Sequence, residues 1–459
     1  MDFKILPTTP LYETFSELGK RIFLPDGIFY WSGRAKKEAE IMGTIGSAFG
    51  FEKDFMEAGG TEWLPCYLKE VKEYTSLGVK DVVPYASIGG LAETRQVWKD
   101  WILEKSPFPS DVEKKKREWL KKYISLPLIT SGVTNGIFLS SQLFLNPGEV
   151  LISPNKRWGN YDNIITKFSG AQIKSFAFFE GQQMNLRGLE EAITEVAKSQ
   201  KKIVIILNFP NNPTGYVPSQ EEAEALISLL KTKQKELNIP FIIIVDDAYE
   251  PYIYSKEVLN ESFFYALQQL EQDIIPVKLD GITKELLLYG ARIGFITIGL
   301  KPSWVASDAE LETLKAELNN KLEGMNRSTI SNCNHFYQAM LHDLFTKKGT
   351  NQLKKTREAV ISLLKARYEK INEELKKIQL PEISVDPNSG GFFLFLNIDP
   401  EKVKATDFAD HLLRTYKVGV IPIEKPAEKI NGIRIAYCSI DLEKIPDFVS
   451  RIKQALNDF

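Results

Sequence analysis

The sequence predicts an α/β protein: a large three-layer domain with a mostly parallel central sheet, and a smaller α+β domain. Two apolar runs, at 202–207 and 241–245, lack the alternation of a half-exposed strand, which is typical of strands covered on both faces. The stretch between them, 219–237, has helical periodicity, and this strand–helix–strand order indicates a right-handed parallel crossover. After about residue 300 short strands and charged helices mix, which favours the second domain.

The other elements follow from local patterns along the chain. Residues 1–60 show little periodicity and predict an extended arm. A turn at Pro147-Gly148 precedes a short strand at 149–152. Further helices are expected at 92–105, 111–123, 307–322, 350–378, 405–416 and the C-terminus, and further strands at 390–396 and 432–436. We expect the arm and part of the small domain at 1–60, the large domain at 61–335 and the rest of the small domain at 336–459.

Charge and composition exclude several kinds of function. Lys and Arg total 58 against 60 Asp and Glu, which is not the basic excess of a nucleic-acid-binding protein. The three cysteines and three histidines show no CxxC or HExxH spacing, so no metal site is expected. The N-terminus lacks a signal-peptide core and the apolar runs are far shorter than the ~20 residues that span a membrane, so we expect a cytoplasmic protein. An enzyme of this composition would use a lysine, a carboxylate or a bound cofactor.

Four polar segments lie where predicted strands end, which is where open α/β sheets bind ligands. The first, 208–215 (NFPNNPTG), is either a plain turn or a loop that aims an Asn amide at a ligand. The second follows the strand at 241–245 and contains Asp246 and Tyr249. The Asp246 carboxylate either caps a helix or holds a positive charge on a ligand.

The other two segments contain a lysine and a glycine-rich turn. Lys284 lies in an apolar, glycine-punctuated stretch, and Arg292 follows eight residues later as a natural anion partner. Lys284 is either a lysine that lies along the surface or a desolvated amine whose lowered pKa makes it a nucleophile. The fourth segment, 131–136 (SGVTNG), opens an apolar helix whose N-terminal N–H groups suit a phosphate, although it does not follow the GxGxxG pattern.

Taken together, these segments resemble the class I/II aminotransferases, which are fold-type I pyridoxal-phosphate (PLP) enzymes. The resemblance rests on NNPTG, on DDAY and on a lysine followed eight residues later by the arginine of YGxRxG, in that order, and it spans nearly the whole chain. It implies the fold-type I architecture with PLP bound by the large domain. It also implies a homodimer with composite active sites.

The resemblance further implies roles around the cofactor ring. Lys284 stands at the position of the lysine that bonds to PLP and later moves a proton on the substrate. Asp246 would pair with the pyridine nitrogen, and Tyr249 and Asn212 would hydrogen-bond the ring oxygen. Trp158, in RWGN, matches the aromatic residue that stacks on the ring in the aspartate aminotransferase branch; the alternative is a core tryptophan.

The implied contacts of the cofactor phosphate are Arg292 and the backbone N–H groups around Gly132, Val133 and Thr134. Tyr85, in YASIGG, is similar to the tyrosine that reaches the phosphate in the neighbouring subunit. The family often has a serine three residues before the lysine, and this chain has Gly281 there. Thr283 or a backbone group would have to replace the contact of that serine.

Three residues besides Asn212 are implied to contact the substrate. Arg434, in GIRI, is similar to the arginine that binds the α-carboxylate, and its planar fork suits that group. Gly46 would allow the backbone to approach the substrate closely. Arg327, in RSTISN, resembles the arginine that crosses the dimer to bind a distal carboxylate, with a longer spacing from Lys284 that requires a loop insertion. The alternative is a structural arginine at the dimer interface.

These observations predict a PLP-dependent aminotransferase that moves an amino group between an α-amino acid and a 2-oxo acid by a ping-pong mechanism. Arg327 favours aspartate or glutamate as substrates. The alternatives are another PLP-dependent reaction at Cα, such as that of a lyase, synthase or decarboxylase, and a cofactor-binding regulatory module.

Overall fold

The computed structural model describes residues 27–57, 59–72, 77–108 and 113–459. The helices are α1 (Ile28–Glu38), α2 (Glu52–Phe55), α3 (Lys69–Lys72), α4 (Val79–Val82), α5 (Ala92–Lys105), α6 (Lys114–Lys122), α7 (Gly132–Phe144), α8 (Leu186–Val196), α9 (Gln220–Leu237), α10 (Phe263–Gln268), α11 (Ile282–Glu285), α12 (Asp308–Thr329), α13 (His335–Asp343), α14 (Thr350–Leu375), α15 (Ala405–Tyr416) and α16 (Ile445–Asn457). The strands are β1 (Ile41–Met42), β2 (Phe49–Phe51), β3 (Trp63–Pro65), β4 (Leu128–Thr130), β5 (Val150–Pro154), β6 (Gln172–Phe176), β7 (Phe179–Glu180), β8 (Gln183–Met184), β9 (Ile203–Asn208), β10 (Phe241–Asp246), β11 (Ile274–Gly281), β12 (Gly294–Ile298), β13 (Ile383–Val385), β14 (Leu394–Ile398), β15 (Val418–Gly419), β16 (Ile421–Lys425) and β17 (Ile430–Ile435).

A seven-stranded sheet in the order β4-β12-β11-β10-β9-β5-β6 forms the centre of the larger part of the molecule. β12 runs antiparallel to both of its neighbours and the other neighbouring strands are parallel, which confirms the predicted mostly parallel sheet. In register, Asp246 at the end of β10 lies beside Asn208 of β9 and Leu279 of β11. The carboxyl ends of these three strands therefore share one edge of the sheet.

The β9–α9–β10 unit shows why the apolar runs predicted this fold. Ile205 belongs to one hydrophobic core and its neighbour Ile206 to another, so β9 is covered on both faces. α9 begins with a reciprocal cap, in which the Ser219 hydroxyl accepts from the Glu222 N–H and the Glu222 carboxylate accepts from the Ser219 N–H. Among the helices of the described ranges, none has the length and apolar character needed to cross a bilayer.

The C-terminal part contains a four-stranded antiparallel sheet in the order β13-β14-β17-β16, as expected for an α+β unit. The strand predicted at 390–396 begins later, at Leu394, because Gly391 has a φ of +72° and turns the chain before it. β1 pairs in parallel with β15, through Ile41 and Val418. Residues near 41 therefore join the C-terminal part of the molecule.

The prediction of an extended arm is wrong for residues 28–38, which form α1, and its part at 1–26 lies outside the described residues. Trp31 and Ala35 lie one turn apart on α1, and both are buried. Gly419 of β15 lies so close that a Cβ on it would be 2.6 Å from the Ala35 Cβ. Aromatic residues and glycine are weak helix formers, so packing against β15 determines this helix and the local pattern does not reveal it.

Candidate active site

A cavity of about 350 Å³ opens at the shared edge of β9, β10 and β11. Its lining includes these residues from the sequence analysis: Gly46, Val133, Thr134, Trp158, Asn212, Asp246, Tyr249, Gly281, Thr283, Lys284, Arg292 and Arg434. It also includes five residues for which the sequence predicted no specific contact: Ile28, Ser47, Asn208, Ala248 and Phe393. A cavity of this size with converging polar groups suits a small-molecule ligand.

Lys284 lies in the single helical turn α11, directly after β11, and its side chain is half-buried. Its Nζ donates a hydrogen bond to Gly46 O at 2.8 Å and lies 4.8 Å from the centre of the Tyr289 ring. Burial is the main cause that lowers the pKa of Lys284 to about 8. This lysine therefore supplies neutral, nucleophilic amine at a much lower pH than an exposed lysine does.

Asp246 is buried at the end of β10, where its carboxylate accepts hydrogen bonds from the Tyr161 hydroxyl and from the Ala248 N–H. Burial raises the pKa of Asp246 to about 6, against the opposing effect of these two hydrogen bonds. Above that pH the site holds a fixed negative charge that would attract a cationic group on a ligand. Tyr161 was not predicted; it lies three residues after Trp158, and the two rings meet edge to face at 5.7 Å.

Asn208 connects the ends of β9 and β10. Its side-chain Nδ2 donates to Asp246 O at 2.8 Å, and its Oδ1 accepts from the Asn212 N–H at 2.7 Å. The first Asn of NFPNNPTG therefore holds the loop, while the later Asn212 faces the cavity. The segment is both a turn and a ligand-facing loop, so the two interpretations of its sequence are compatible.

Arg434 on β17 is 3% exposed and faces the cavity from the C-terminal part. It donates from Nη1 to Asn212 Oδ1 at 3.3 Å and from Nη2 to Thr44 O at 3.0 Å, and its Cζ lies 4.3 Å from the centre of the Phe393 ring. Its buried Nε has no hydrogen-bond partner among the residues that the structure describes. Burial lowers the pKa of Arg434 to about 10, which still leaves a cation with donors to offer to an anionic ligand.

A cradle for an anion lies at the N-terminus of α7. Gly132 begins this helix with a φ of +77°, and a Cβ on it would lie 2.4 Å from Nη2 of Arg292. The close approach brings the guanidinium next to the first N–H groups of the helix, at Val133 and Thr134, which also line the cavity. Helix N-termini with an adjacent arginine bind phosphate-like groups.

The glycine at 281 has a steric cause. Gly281 pairs with Gly294 across β11 and β12, and a Cβ on it would lie 2.7 Å from Ile293 O and 2.8 Å from Gly294 Cα. A serine at this position would therefore clash with backbone atoms. Thr283, two residues later, lines the cavity, and its buried Oγ1 has no partner within the described ranges, so it can donate to an anion there.

Tyr249 is buried beside Lys284, with its ring edge to face against Phe392 and Phe393 at 5.2 and 5.6 Å. Burial raises its pKa well above the usual range, although the Arg434 charge acts in the opposite direction. Its hydroxyl therefore keeps its proton and can donate a hydrogen bond into the cavity.

The structure does not bring Tyr85 and Arg327 to the cavity of their own chain. Tyr85 is 91% exposed. Arg327 is also exposed, near the end of α12, and its Nη1 donates to the Ser331 hydroxyl. Neither belongs to the described residues that line the cavity. Both were predicted to act across a subunit interface, and those roles remain predictions.

The chain is similar to known proteins both in sequence and in structure. The family model described as aminotransferase class I and II matches residues 109–452. A probable aspartate/prephenate aminotransferase of Aquifex aeolicus is 26% identical over 382 residues, which cover 82% of this chain and 84% of that protein. The crystal structure of an aminotransferase from Anaerococcus prevotii has a TM-score of 0.78 at 24% identity, covering 98% of this chain and 100% of that one. Kynurenine aminotransferase of Pyrococcus horikoshii, whose structure is described in complex with PMP, has a TM-score of 0.74 at 18% identity, covering 98% of each chain.

Proposed function

The chain belongs to the class I and II aminotransferases, PLP-dependent enzymes that move an amino group from an α-amino acid to a 2-oxo acid, and we propose that Lys284 and its neighbours perform this reaction. The family confirms the predicted activity and cofactor, and it does not favour the other reactions at Cα. The observation that supports the assignment of residues is one cavity that holds the lowered-pKa amine of Lys284, the buried carboxylate of Asp246 and the buried guanidinium of Arg434.

The residues of the cavity fit PLP. The phosphate suits the cradle of Arg292 and the α7 N-terminus, where a Cβ on Gly132 would occupy the space and where Thr283 Oγ1 lacks a partner in the described part of the chain. Asp246 suits a protonated pyridine nitrogen, and the amine of Lys284 suits the aldehyde. When bound, PLP supplies the electron sink that makes the substrate Cα acidic.

Lys284 moves the proton in the proposed mechanism. With its pKa lowered by burial, its amine can take the proton from the substrate Cα near neutral pH. The Gly46 carbonyl accepts a hydrogen bond from this amine and so holds it on the side of the cavity formed by the N-terminal segment. The carboxylate of Asp246 is charged above about pH 6, and it would stabilise the proton on the pyridine nitrogen of the cofactor.

Arg434 orients the substrate. Its unpartnered Nε and its long 3.3 Å bond to Asn212 leave donors for the α-carboxylate, and the Phe393 ring below it fixes the plane of the guanidinium. The same ring leaves no room for a side chain at Gly46, because a Cβ there would lie 2.9 Å from Phe393 Cζ. The substrate backbone is thus held between Arg434 and the Gly46 segment, with its Cα near Lys284.

We propose a homodimer with composite sites, supported by an apolar surface around α4 and α13. Val79, Val83 and Tyr85 are 74%, 72% and 91% exposed, and Phe336 lies close by, because its neighbour His335 contacts Pro84 O at 2.8 Å. Side chains of this kind on one surface mark a protein–protein interface. Analytical ultracentrifugation should show twice the chain mass of 52.2 kDa, and a monomer at micromolar concentration would reject this proposal.

We also propose an acidic amino acid as donor. Arg292 and Arg434 are the arginines among the described lining residues, and they are assigned to the phosphate and the α-carboxylate. A distal carboxylate therefore needs a cation from elsewhere, and the exposed Arg327 of the second subunit is the proposed source. Several relatives named aspartate aminotransferases agree with this proposal. Arg327→Ala should raise KM for aspartate and leave KM for an apolar donor unchanged; no change for aspartate would reject it.

Two further proposals concern organisation and location. We propose the domain division 1–60, 61–335 and 336–459, in which the pairing of β1 with β15 supports the assignment of the N-terminal segment to the small domain. We propose a cytoplasmic location, which agrees with three free, buried cysteines.

A half-reaction assay tests the function. An amino acid alone should convert the bound cofactor to its amino form, seen as loss of visible absorbance, and a 2-oxo acid should restore it. The Lys284→Ala chain should do neither in repeated cycles. Retained turnover in that variant, or release of ammonia or carbon dioxide by the unaltered enzyme in place of the amino-form cofactor, would contradict the proposal.

A further inference from the structure

A buried group of charged side chains, here called the ionic cluster, lies behind the active-site cavity. Its members are three cations and four carboxylates: Lys105, Lys278 and Arg357, with Asp247, Glu250, Asp280 and Glu285. Six of the seven are buried, and the side chain of Lys105 is 9% exposed. None of the proposed functions described above uses them.

The ionic cluster is joined to the active site through neighbouring residues of the chain. Asp247 follows Asp246, Glu250 follows Tyr249 and Glu285 follows Lys284. In each pair the first residue lines the cavity, and the second contacts a cation of the ionic cluster. A shift of any of these carboxylates would therefore displace the catalytic side chain beside it.

Lys105, the last residue of α5, lies at the centre of three of the carboxylates. Its Nζ is 2.8 Å from Glu250 Oε2, 3.0 Å from Glu285 Oε2 and 3.7 Å from Asp280 Oδ2. Oxygens of these three carboxylates lie within 4.8 Å of one another, a spacing that could hold a metal ion. Here the ammonium of Lys105 takes the place of such a cation, so the group is an internal ion cluster and not a metal site.

α5 also fixes the orientation of two of the carboxylates. Trp98 Nε1 donates to Asp280 Oδ1 at 2.9 Å, and Trp101 Nε1 donates to Glu285 Oε1 at 2.6 Å. The Lys105 Nζ lies 5.5 and 5.9 Å from the centres of these two rings. Helix α5 therefore supplies both the cation and the hydrogen bonds that orient Asp280 and Glu285.

The cost of burying these charges indicates that the ionic cluster fixes the positions of side chains and does not mainly stabilise the fold. Each buried ion costs several kcal/mol of desolvation, and well-packed apolar side chains often stabilise a fold equally well or better. Apolar side chains lack hydrogen bonds, however, and would not fix the positions of the neighbouring residues as closely as these directional, charged hydrogen bonds do. A reaction in which a misplacement of about 1 Å can cost about 100-fold in rate requires such fixation.

We propose that Lys105 is a positioning residue for the reaction: its ammonium fixes Glu285 and Glu250, and through them it sets the positions of Lys284 and Tyr249. The inference rests on the proposed role of Lys284. It predicts that loss of the Lys105 charge affects the step performed by Lys284 and not the binding of the carboxylate by Arg434, which lies on a strand of the other sheet.

The test compares Lys105→Met with Lys99→Met in the PLP-loaded enzyme. Lys99 is the matched control, because it is buried on the same helix and donates to the carbonyl of Ile124 at 3.2 Å. Lys105→Met should lower kcat by about 10- to 100-fold with KM for the amino acid within about threefold. The visible-absorbance titration of the bound cofactor should move to higher pH, since loss of the Lys105 charge makes the ionic cluster more negative, which favours the protonated form of the Lys284 nitrogen. Lys105→Arg should restore part of kcat and part of the titration shift, and Lys99→Met should change neither kcat nor the titration.

Unchanged kcat and titration in Lys105→Met would overturn the proposal, and so would equal losses in Lys99→Met. If Lys105→Met does not fold, Trp101→Phe removes the indole donor to Glu285 together with part of a buried ring. It should lower kcat in the same direction by a smaller factor, and an unchanged kcat would again refute the proposal. The proposed function fails by a different result, namely cofactor attachment and turnover in Lys284→Ala.

Discussion

Replacement of Arg434 by lysine tests the proposed substrate contact in a way that the structure makes quantitative. The guanidinium offers the buried Nε, which has no partner among the described residues, and Nη1, whose bond to Asn212 is long at 3.3 Å. A lysine keeps the charge but has no planar fork, so it can replace at most one of two parallel bonds to a carboxylate. The loss of one hydrogen bond to a charged group costs about 2 kcal/mol, or about 30-fold in kcat/KM.

The assay is the rate of the half-reaction as a function of amino acid concentration. The loss should appear in kcat/KM for an α-amino acid and be nearly absent for an amine without the carboxylate. Arg367→Lys is the control, because Arg367 is equally buried but donates to the carbonyls of Phe49 and Cys438. If Arg434→Lys stays within about threefold of the unaltered enzyme, or if Arg367→Lys shows the same loss, the assignment of the carboxylate contact is wrong.

Three other predictions concern the cofactor side of the site. Asp246→Asn should lower kcat by about 150-fold, because the protonated pyridine nitrogen would lose its partner and an unpaired buried charge costs roughly 3 kcal/mol. An unchanged kcat in steady-state kinetics would contradict this. The rate at which the cofactor-free chain takes up PLP should rise with pH and level off above about 8, since the lowered pKa of Lys284 makes its amine neutral above that value; a midpoint near 10.5 in the pH profile would refute the role of burial. Gly132→Ala should weaken PLP binding by roughly tenfold, because its Cβ would displace the Arg292 guanidinium and so remove one charged hydrogen bond to the phosphate, worth about 1.5 kcal/mol. A fluorescence titration measures this, with Gly148→Ala as the control, since Gly148 also has a positive φ but open space around its Cβ; equal loss in both would show that only backbone strain matters.

The sequence predicted those parts of the site that lie in short continuous motifs. NNPTG, DDAY and the Lys284–Arg292 segment each follow a strand of the large sheet, and parallel strands bring their carboxyl ends to one edge. The residues named from these motifs therefore meet in one cavity. The apolar runs of β9 and β10 predicted the sheet because both of their faces are buried.

What the sequence did not predict depends on contacts between distant segments. The bond from Tyr161 to Asp246 joins residues 85 positions apart, and the contact of Lys105 with Glu285 joins residues 180 positions apart. Lys105 ends a helix in which apolar and charged residues are mixed, and nothing in its local pattern distinguishes it from a surface lysine. Helix α1 was missed for the same reason, because its buried residue Ala35 packs against Gly419, near the other end of the chain.

The most direct test of the account is to locate the cofactor on the chain. The PLP-loaded enzyme is reduced with sodium borohydride, digested and analysed by peptide mass spectrometry, which identifies the lysine that carries the pyridoxyl phosphate group. We expect the group on Lys284, the lysine among the described residues that line the cavity. Attachment to another lysine, such as the buried Lys278 or Lys301, would contradict the account, as would the absence of any attachment.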